Sequence, residues 1–136
     1  MENRAGEATT LTSIGSVYYV LGEKQKALDS FNQALDLERA VGYRAAEATT
    51  LGYVAAVERN RGNLPEARAR IEAALKIVES LRAKVASQEL RTSYFSTVQN
   101  YYEFDVDILM RLHAQDSIKG YDRLATGETS RQTSLA

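Results

Sequence analysis

The stretch GEATTL at residues 6–11 returns as AEATTL at residues 46–51, and this repetition decides the fold. Eleven of the forty positions in the block 5–44 are identical in the block 45–84. Chance matching in an Ala-rich chain would give about a third of that number, and the matches cluster at the spacings of a repeating structural unit. We therefore interpret the chain as two copies of one forty-residue unit, followed by a segment in which this repeat is no longer recognisable.

Each unit carries the pattern of two amphipathic helices. Apolar residues recur at three- and four-residue steps, which is the spacing of one face of an α-helix. Gly22 and Gly62 interrupt the pattern within each unit, Gly42 lies near the end of the first unit, and Pro65 suits the first turn of a helix. The four predicted faces are Leu11, Ile14, Tyr18 and Leu21; Ala27, Leu28, Phe31, Ala34 and Leu35; Leu51, Val54, Val57 and Glu58; and Ala67, Ile71, Ala74 and Leu75.

These positions resemble the tetratricopeptide repeat (TPR). The first copy matches at Leu11, Ile14-Gly15, Tyr18, Gly22, Ala27, Phe31 and Ala34, and the second at Leu51, Val54-Ala55, Gly62, Pro65, Ala67, Ile71 and Ala74. Glu58 stands where the family prefers an aromatic residue. The usual TPR period is about 34 residues, and a period of forty also falls in the range of HEAT-type repeats, but the LG-x-x-x-x-A-L turn favours a longer TPR variant. The resemblance implies a right-handed helical solenoid.

The C-terminal third keeps helical periodicity without the repeat. Ser87 is a predicted N-cap, with Glu89 near the positive end of the helix dipole. Two neighbouring apolar stripes predict a long helix to about His113 that is buried on more than one side, and Asp116-Ser117 are predicted to cap a short final helix. The stripes are Tyr94, Val98, Tyr101, Phe104 or Asp105, Ile108 and Leu112, and Phe95, Tyr102, Val106 and Leu109.

The predicted architecture is therefore all-α, with about six antiparallel helices in one continuous domain. Residues 1–86 would form two TPR helix pairs, at about 5–44 and 45–86. Residues 87–136 would supply a long aromatic helix and a short terminal one. Because a stable repeat stack normally needs about three units, these last helices are expected to act as the third unit and cap.

The C-terminal segment also resembles a more particular context. The run from LKIVESLRAKVASQELRTSYFSTVQNYYEF through LMRLH to GYDRLA is similar to the segment that joins a bacterial TPR array to a CHAT domain, which is caspase-like. The tail TSRQTSLA departs from the denser charged and Leu-rich pattern of that family. The resemblance implies a fragment, or a stand-alone relative, of the recognition part of such a protein.

Composition excludes several classes of function. The chain contains no Cys, so it can have no disulfide, thiolate metal site or Cys nucleophile. Its net charge of −1 disfavours nucleic-acid binding, which normally needs a basic excess. The first ten residues lack the apolar core of a signal peptide, and no apolar run approaches the roughly 20 residues that span a bilayer. We expect a soluble, cytoplasmic, bacterial protein that binds no membrane.

Residues able to support catalysis or metal binding are sparse. The single histidine, His113, has no motif around it, and the nucleophile of a caspase-like dyad is missing. The acidic residues Glu103, Asp105 and Asp107 offer too few oxygen ligands for a cation, and Asp107 is spaced to pair with Arg111. Charge balance favours interpreting Arg59, Arg61, Arg68 and Arg70 as a rim paired with Glu58, Glu66 and Glu72 rather than as an anion site. We expect a protein that is not an enzyme and that needs no cofactor or metal.

The predicted binding surface is the concave wall that the first helix of each pair would line. Its three rows are Thr9, Thr12, Ser13, Ser16 and Tyr19; Thr49, Tyr53, Ala56, Arg59 and Asn60; and Thr92, Ser93, Ser96, Gln99, Asn100 and Glu103. Tyr19, Tyr53 and Arg59 are the predicted anchors, since aromatic and Arg side chains dominate protein interfaces. The predicted function is protein–protein or peptide recognition. Two alternatives stay open: a concave face that is merely solvated, and self-assembly through the exposed ends of the solenoid.

Overall fold

The protein is a stack of α-helices joined by short turns. The computed structural model describes residues 3–85 and 87–125, with the side chains of the last helix as far as Ile118. Five helices make up this part of the chain, which contains no strand: α1 (Arg4–Val20), α2 (Lys24–Val41), α3 (Arg44–Asn60), α4 (Leu64–Lys84) and α5 (Gln88–Ala125). The predicted all-α class is confirmed. The last part of the predicted cap, residues 126–136, lies outside the described residues.

The first three turns share one glycine-dependent geometry. Gly22 has a φ of 79°, its N–H donates to the Tyr19 carbonyl at 3.1 Å, and the N–H of Glu23 donates to the Tyr18 carbonyl at 2.9 Å. This is a Schellman ending, which satisfies the free carbonyls of the helix and requires a left-handed residue. The same bonds recur at Gly42 and Gly62. The glycines therefore set where α1, α2 and α3 end.

Each helix packs against its neighbour in sequence, so the core forms between consecutive helices. Phe31 of α2 lies at the centre of the larger buried cluster, which extends from α2 through α3 and α4 to Val98 of α5. Gly15 of α1 allows the two helices to approach closely, because a Cβ atom there would lie 2.6 Å from Cε1 of Phe31. A smaller cluster joins Ala55 and Ile71 to Ile108 of α5.

The prediction of a sixth helix starting at Asp116-Ser117 is wrong within the described residues. The structure has one continuous helix, α5, from Gln88 to Ala125. Asp and Ser are weak helix formers, but each costs only about 0.5 kcal/mol in a helix interior, and no proline lies nearby to break the hydrogen-bonding ladder. Ser87 does stand at the predicted start of this helix, where its carbonyl accepts the N–H of Arg91 at 3.0 Å.

Only one of the two apolar stripes of α5 is buried. Val98 and Ile108 belong to the core, and Tyr94, Tyr101 and Leu112 pack against it. The second stripe, predicted to be buried as well, is exposed at Phe95, Tyr102, Val106 and Leu109. The reason is that α5 packs mainly on α4, and no further helix among the described residues covers this stripe. The prediction of burial on more than one side is therefore wrong.

Candidate functional site

The most enclosed surface of the predicted groove lies between α1 and α3. Ser16, Tyr19 and Val20 of α1 face Tyr53 and Ala56 of α3 across a cavity of about 260 Å³. The floor of the cavity is Phe31 of α2, whose ring stacks on Tyr53 with centroids 5.4 Å apart. Stacking on a fully buried ring holds Tyr53 in place, although its other face is exposed. The cavity is therefore aromatic, preformed and open to solvent.

A second cavity continues the first towards α5. Tyr53 and Ala56 line it as well, together with Asn100, Tyr101 and Phe104 of α5, and its volume is about 380 Å³. Gly52 permits the approach of α5, because a Cβ atom there would lie 3.0 Å from the hydroxyl oxygen of Tyr101. The two cavities are adjacent, since Tyr53 and Ala56 line both, and together they extend across α1, α3 and α5. We call the surface of these two cavities the α1–α3–α5 groove.

Two of the predicted groove residues hold the helices together instead of facing a ligand. Asn60 Nδ2 donates to the Tyr19 hydroxyl oxygen at 2.6 Å, which joins the ends of α1 and α3. Arg59 donates from Nη1 to Asp107 Oδ2 at 3.2 Å, and its guanidinium carbon lies 4.1 Å from the centroid of the Phe104 ring. Both contacts fix neighbouring helices at the edge of the groove, so Arg59 acts here as a structural clamp.

The third predicted row divides between two sides of α5. Asn100 lines the α1–α3–α5 groove. Thr92 lines a different cavity of about 530 Å³ beside α4, with Arg82, Ala83, Gln88, Arg91 and Phe95. Ser93, Ser96 and Gln99 are exposed on α5 and belong to neither groove cavity. These residues do not share one surface because α5 does not follow the forty-residue repeat from which their positions were extrapolated.

Sequence reasoning missed Phe31, Phe104 and Gly52 as groove residues. The first two were assigned only to the core, yet each also presents ring atoms to a cavity. The signal for Gly52 was available, because the first copy of the repeat has Thr12 at the equivalent position. A glycine in a row of otherwise polar residues indicates that a neighbouring side chain comes close to the backbone there, and at Gly52 this side chain is Tyr101.

A hydroxyl-rich cavity lies further along α1 and α3. Thr12 and Ser13 of the predicted site line it, with Thr9, Ala46, Thr49, Thr50 and Glu38, and its volume is about 240 Å³. Glu38 comes from α2 and is only 2% exposed. Its Oε1 accepts from Thr50 Oγ1 at 2.8 Å and lies 3.5 Å from Thr12 Oγ1, while Oε2 has no hydrogen-bond partner in the structure.

Burial raises the pKa of the Glu38 carboxyl above its ordinary value of 4.5. The hydrogen bonds from Thr50 and Thr12 oppose this shift, and so does the positive charge of Arg39, whereas the negative charge of Glu47 adds to it. The loss of hydration is the largest of these influences, because a buried carboxylate gives up its water shell for only partial compensation.

The buried carboxyl predicts a pH-dependent stability. Because the pKa of Glu38 is higher in the folded than in the unfolded chain, folding takes up a proton between these two values, and the contribution of this group to stability falls as pH rises through that interval. We therefore expect Glu38→Gln to gain stability relative to the unmodified chain as pH rises from 4.5 to 7.5. Urea unfolding followed by circular dichroism at both pH values measures this gain.

The Asp36→Asn variant, on the exposed side of the same helix, controls for the change in net charge. A Glu38→Gln difference that stayed constant across the pH range, or that shrank as pH rose, would contradict the assigned role of burial.

The arginine cluster is paired, as charge balance predicted. Arg61 donates to Glu58 at 3.0 Å, Arg68 to Glu72 at 3.0 Å and Arg70 to Glu66 at 2.8 Å. Arg111 lies 2.9 Å from Asp107, one helical turn away, as its spacing also predicted. These pairs neutralise the rim around the second repeat.

The single histidine lies apart from the groove. His113 is exposed on α5, one residue past the half-buried Leu112. In the part of the chain that the structure describes, no three or more His, Cys, Asp or Glu side chains form a group that could hold a metal ion. Among the described helices, none is both long and apolar enough to cross a membrane. No protein-family model matches the chain, and no curated protein matches it either.

Proposed function

We propose that this chain is a non-enzymatic protein-recognition module that binds an extended peptide segment in the α1–α3–α5 groove. The observation that carries the proposal is that the two cavities lie side by side and share Tyr53 and Ala56. A groove that crosses three helices offers several side-chain positions to one linear ligand, which is what peptide recognition needs.

The chemistry of the groove favours an apolar or aromatic anchor on the ligand. Tyr19 and Tyr53 present ring faces, and Phe31 closes the floor between them. Rigid aromatic walls bind with little loss of conformational entropy and dominate the energetics of many interfaces. Charged anchors are disfavoured, since the residues that line the two cavities are uncharged. Arg59, which lies over the ring of Phe104, is already bonded to Asp107.

We further propose that the helices form a TPR-like right-handed solenoid. Three features support this: α1 and α3 begin and end forty residues apart, their turn glycines are equivalent, and each helix packs on the next. The sequence resemblance of the C-terminal third supports a role beside a CHAT-type effector domain, with this module as the recognition part.

The proposed function predicts that a large side chain at the wall shared by the two cavities weakens peptide binding. Ala56→Arg places a long side chain between the two cavities, and we expect it to weaken peptide binding at least tenfold. The probe is a set of peptides selected on the full chain from a displayed random dodecapeptide library, with affinities measured by fluorescence anisotropy. We expect an apolar or aromatic residue to recur in the selected sequences.

Ala69→Arg is the matched control, because Ala69 is an exposed alanine in the second turn of α4. It should leave the affinities unchanged. Selected peptides that bound Ala56→Arg as tightly as the unmodified chain would contradict the groove, as would a failure to select any binding peptide.

Self-assembly is a second candidate function, favoured by the exposed apolar stripe of α5. Phe95, Tyr102, Val106 and Leu109 lie on one side of this helix and stay uncovered. An exposed apolar strip of this kind is typical of a surface that meets another protein. Sedimentation velocity over a wide concentration range distinguishes the candidates, since a defined dimer favours assembly and a monomer favours recognition.

A further inference from the structure

Helix α1 carries an exposed copy of a face that is buried on α3. The repeat pairs Glu7, Thr10, Leu11, Ile14 and Val17 of α1 with Glu47, Thr50, Leu51, Val54 and Val57 of α3. Four of the five pairs are identical, and the fifth exchanges Ile for Val. We call the α1 set the α1 docking face, and its members lie at helical spacings on one side of α1.

On α3, this set of residues binds the preceding helix, α2. Glu47 accepts from Arg39 Nε of α2 at 3.1 Å, and Thr50 donates to Glu38 of α2 at 2.8 Å. Leu51, Val54 and Val57 are buried in a cluster that contains Leu28, Phe31 and Leu35 of α2 as well as residues of α4, and α2 packs directly on α3. The α3 face therefore recognises α2 through an apolar stripe and two polar contacts.

On α1, the same residues are uncovered. Ile14 and Val17 are 42% and 59% exposed, whereas their counterparts Val54 and Val57 are 2% and 0% exposed. Glu7 and Thr10 are exposed as well, and Leu11 is half-buried. The neighbouring Val20 and Leu21 extend the exposed apolar surface towards the turn. The same sequence pattern is thus covered by a neighbouring helix in the second copy and uncovered in the first, where the Thr10 hydroxyl donates to the Gly6 carbonyl at 3.0 Å.

We propose that the α1 docking face binds a helix from a partner protein that has the residue pattern of α2. That pattern is an apolar stripe at the spacing of Leu28, Phe31 and Leu35, followed three residues later by an acidic residue and an arginine. The partner's acidic residue accepts a hydrogen bond from the hydroxyl of Thr10, and the partner's arginine pairs with Glu7.

The polar pair makes the partner's chemistry specific. Helix α4 keeps apolar residues at two of the three stripe positions, Ile71 and Leu75, but has Arg68 in place of Leu28. It also carries Val78 and Glu79 where α2 has Glu38 and Arg39. A helix of the α4 type would offer no arginine to Glu7 and would place an acid close to it. The docking face therefore selects the α2 pattern over the α4 pattern within this same chain.

The α1 docking face is distinct from the α1–α3–α5 groove. The groove uses Ser16 and Tyr19, which point to another side of α1 than Thr10, Ile14 and Val17. Val20, which extends the docking face, also lines the groove, so a partner helix on the docking face would border the groove at that residue. Failure of one proposal leaves the other standing.

The test uses the full chain and a fluorescent peptide with the sequence of residues 24–41, made helical by a hydrocarbon staple between the positions of Asp29 and Gln33. Both positions are exposed on α2, so the staple avoids the recognised face. We expect saturable binding that weakens at least tenfold with Val17→Lys in the chain. A peptide with Ala at the positions of Glu38 and Arg39 should bind at least threefold more weakly.

Val106→Lys is the matched control, because it makes the same change at a similarly exposed valine on α5, and it should leave binding unchanged. Absence of binding at millimolar peptide would overturn the proposal. Equal binding to Val17→Lys would also overturn it, since the peptide would then have displaced α2 from its own site. Sedimentation velocity completes the test by measuring whether the chain forms a dimer. If a dimer excludes the peptide and dissociates when Val17→Lys is introduced, the docking face binds a second copy of this chain, and the proposed partner helix is wrong.

Discussion

A chain that ends at Lys84 is expected to lose cooperative unfolding. This truncation removes α5, which covers Ile71 and Val78 of α4 and supplies Val98 and Ile108 to the two buried clusters. Two helix pairs alone would expose these apolar residues to water, and a stack of two repeats is shorter than the three that are normally stable. Thermal unfolding followed at 222 nm should show a broad, non-cooperative transition, with aggregation at higher concentration.

A chain that ends at Asp116 is the control. The last half-buried side chain of α5 is Leu112, and every described side chain from His113 to Ile118 is exposed. Removing residues 117–136 therefore takes away no described core contact and should lower the Tm by less than about 5 °C. Cooperative unfolding of the Lys84 truncation at a midpoint close to that of the full chain would show that α5 is not needed as a cap.

Phe31→Ala is expected to lower the free energy of unfolding by about 3–5 kcal/mol. Phe31 is almost fully buried, packs against Gly15 of α1 and stacks on Tyr53 of α3. Its loss leaves a cavity where three helices meet, and the backbone cannot close it because each helix is held by the next. Urea unfolding measures the change. Phe95→Ala, which removes an exposed ring from α5, should cost less than about 1 kcal/mol.

A double-mutant cycle with Gly15→Ala tests the proposed geometry directly. In the unmodified chain the new Cβ would lie 2.6 Å from the Phe31 ring, so Gly15→Ala should be destabilising despite the better helix propensity of alanine. In the Phe31→Ala background the obstacle is gone, and the same change should stabilise by up to about 1 kcal/mol. An effect of Gly15→Ala with the same sign in both backgrounds would contradict the close packing of these two residues.

The first four helices could be predicted from sequence because local and repeated signals agree there. The apolar period, the glycines at positions 22, 42 and 62, and the second copy of the pattern all place the same turns. The sequence of α5 has no repeat partner, and its two apolar stripes are equally strong. Nothing local distinguishes the stripe that meets α4 from the stripe that meets solvent, because that choice depends on how many helices are available to cover it.

The groove residues could be predicted from sequence mainly on α1 and α3, the helices that belong to the forty-residue repeat. Tyr19, Tyr53 and Ala56 line it as equivalent positions indicated, and Asn100 joins them from α5. Arginine is a residue type typical of interface anchors, yet Arg59 is bonded to the carboxylate of Asp107, forty-eight positions further along the chain. Such long-range pairing cannot be recognised in the local sequence pattern. The same is true of Phe31 and Phe104, which belong to the core and also line the groove.

The length of α5 gives the molecule a mechanical property. Past Leu112 the helix continues for thirteen residues, which is about 20 Å at 1.5 Å per residue. Since the packed part of α5 includes Tyr101 and Phe104, both in the groove wall, a rotation of this helix at the groove would be transmitted to its projecting end. A rotation of about 10° at the groove would move the tip by about 3.5 Å over that length. Small adjustments of packing around a bound ligand would thus reappear, enlarged, at the far end of the helix.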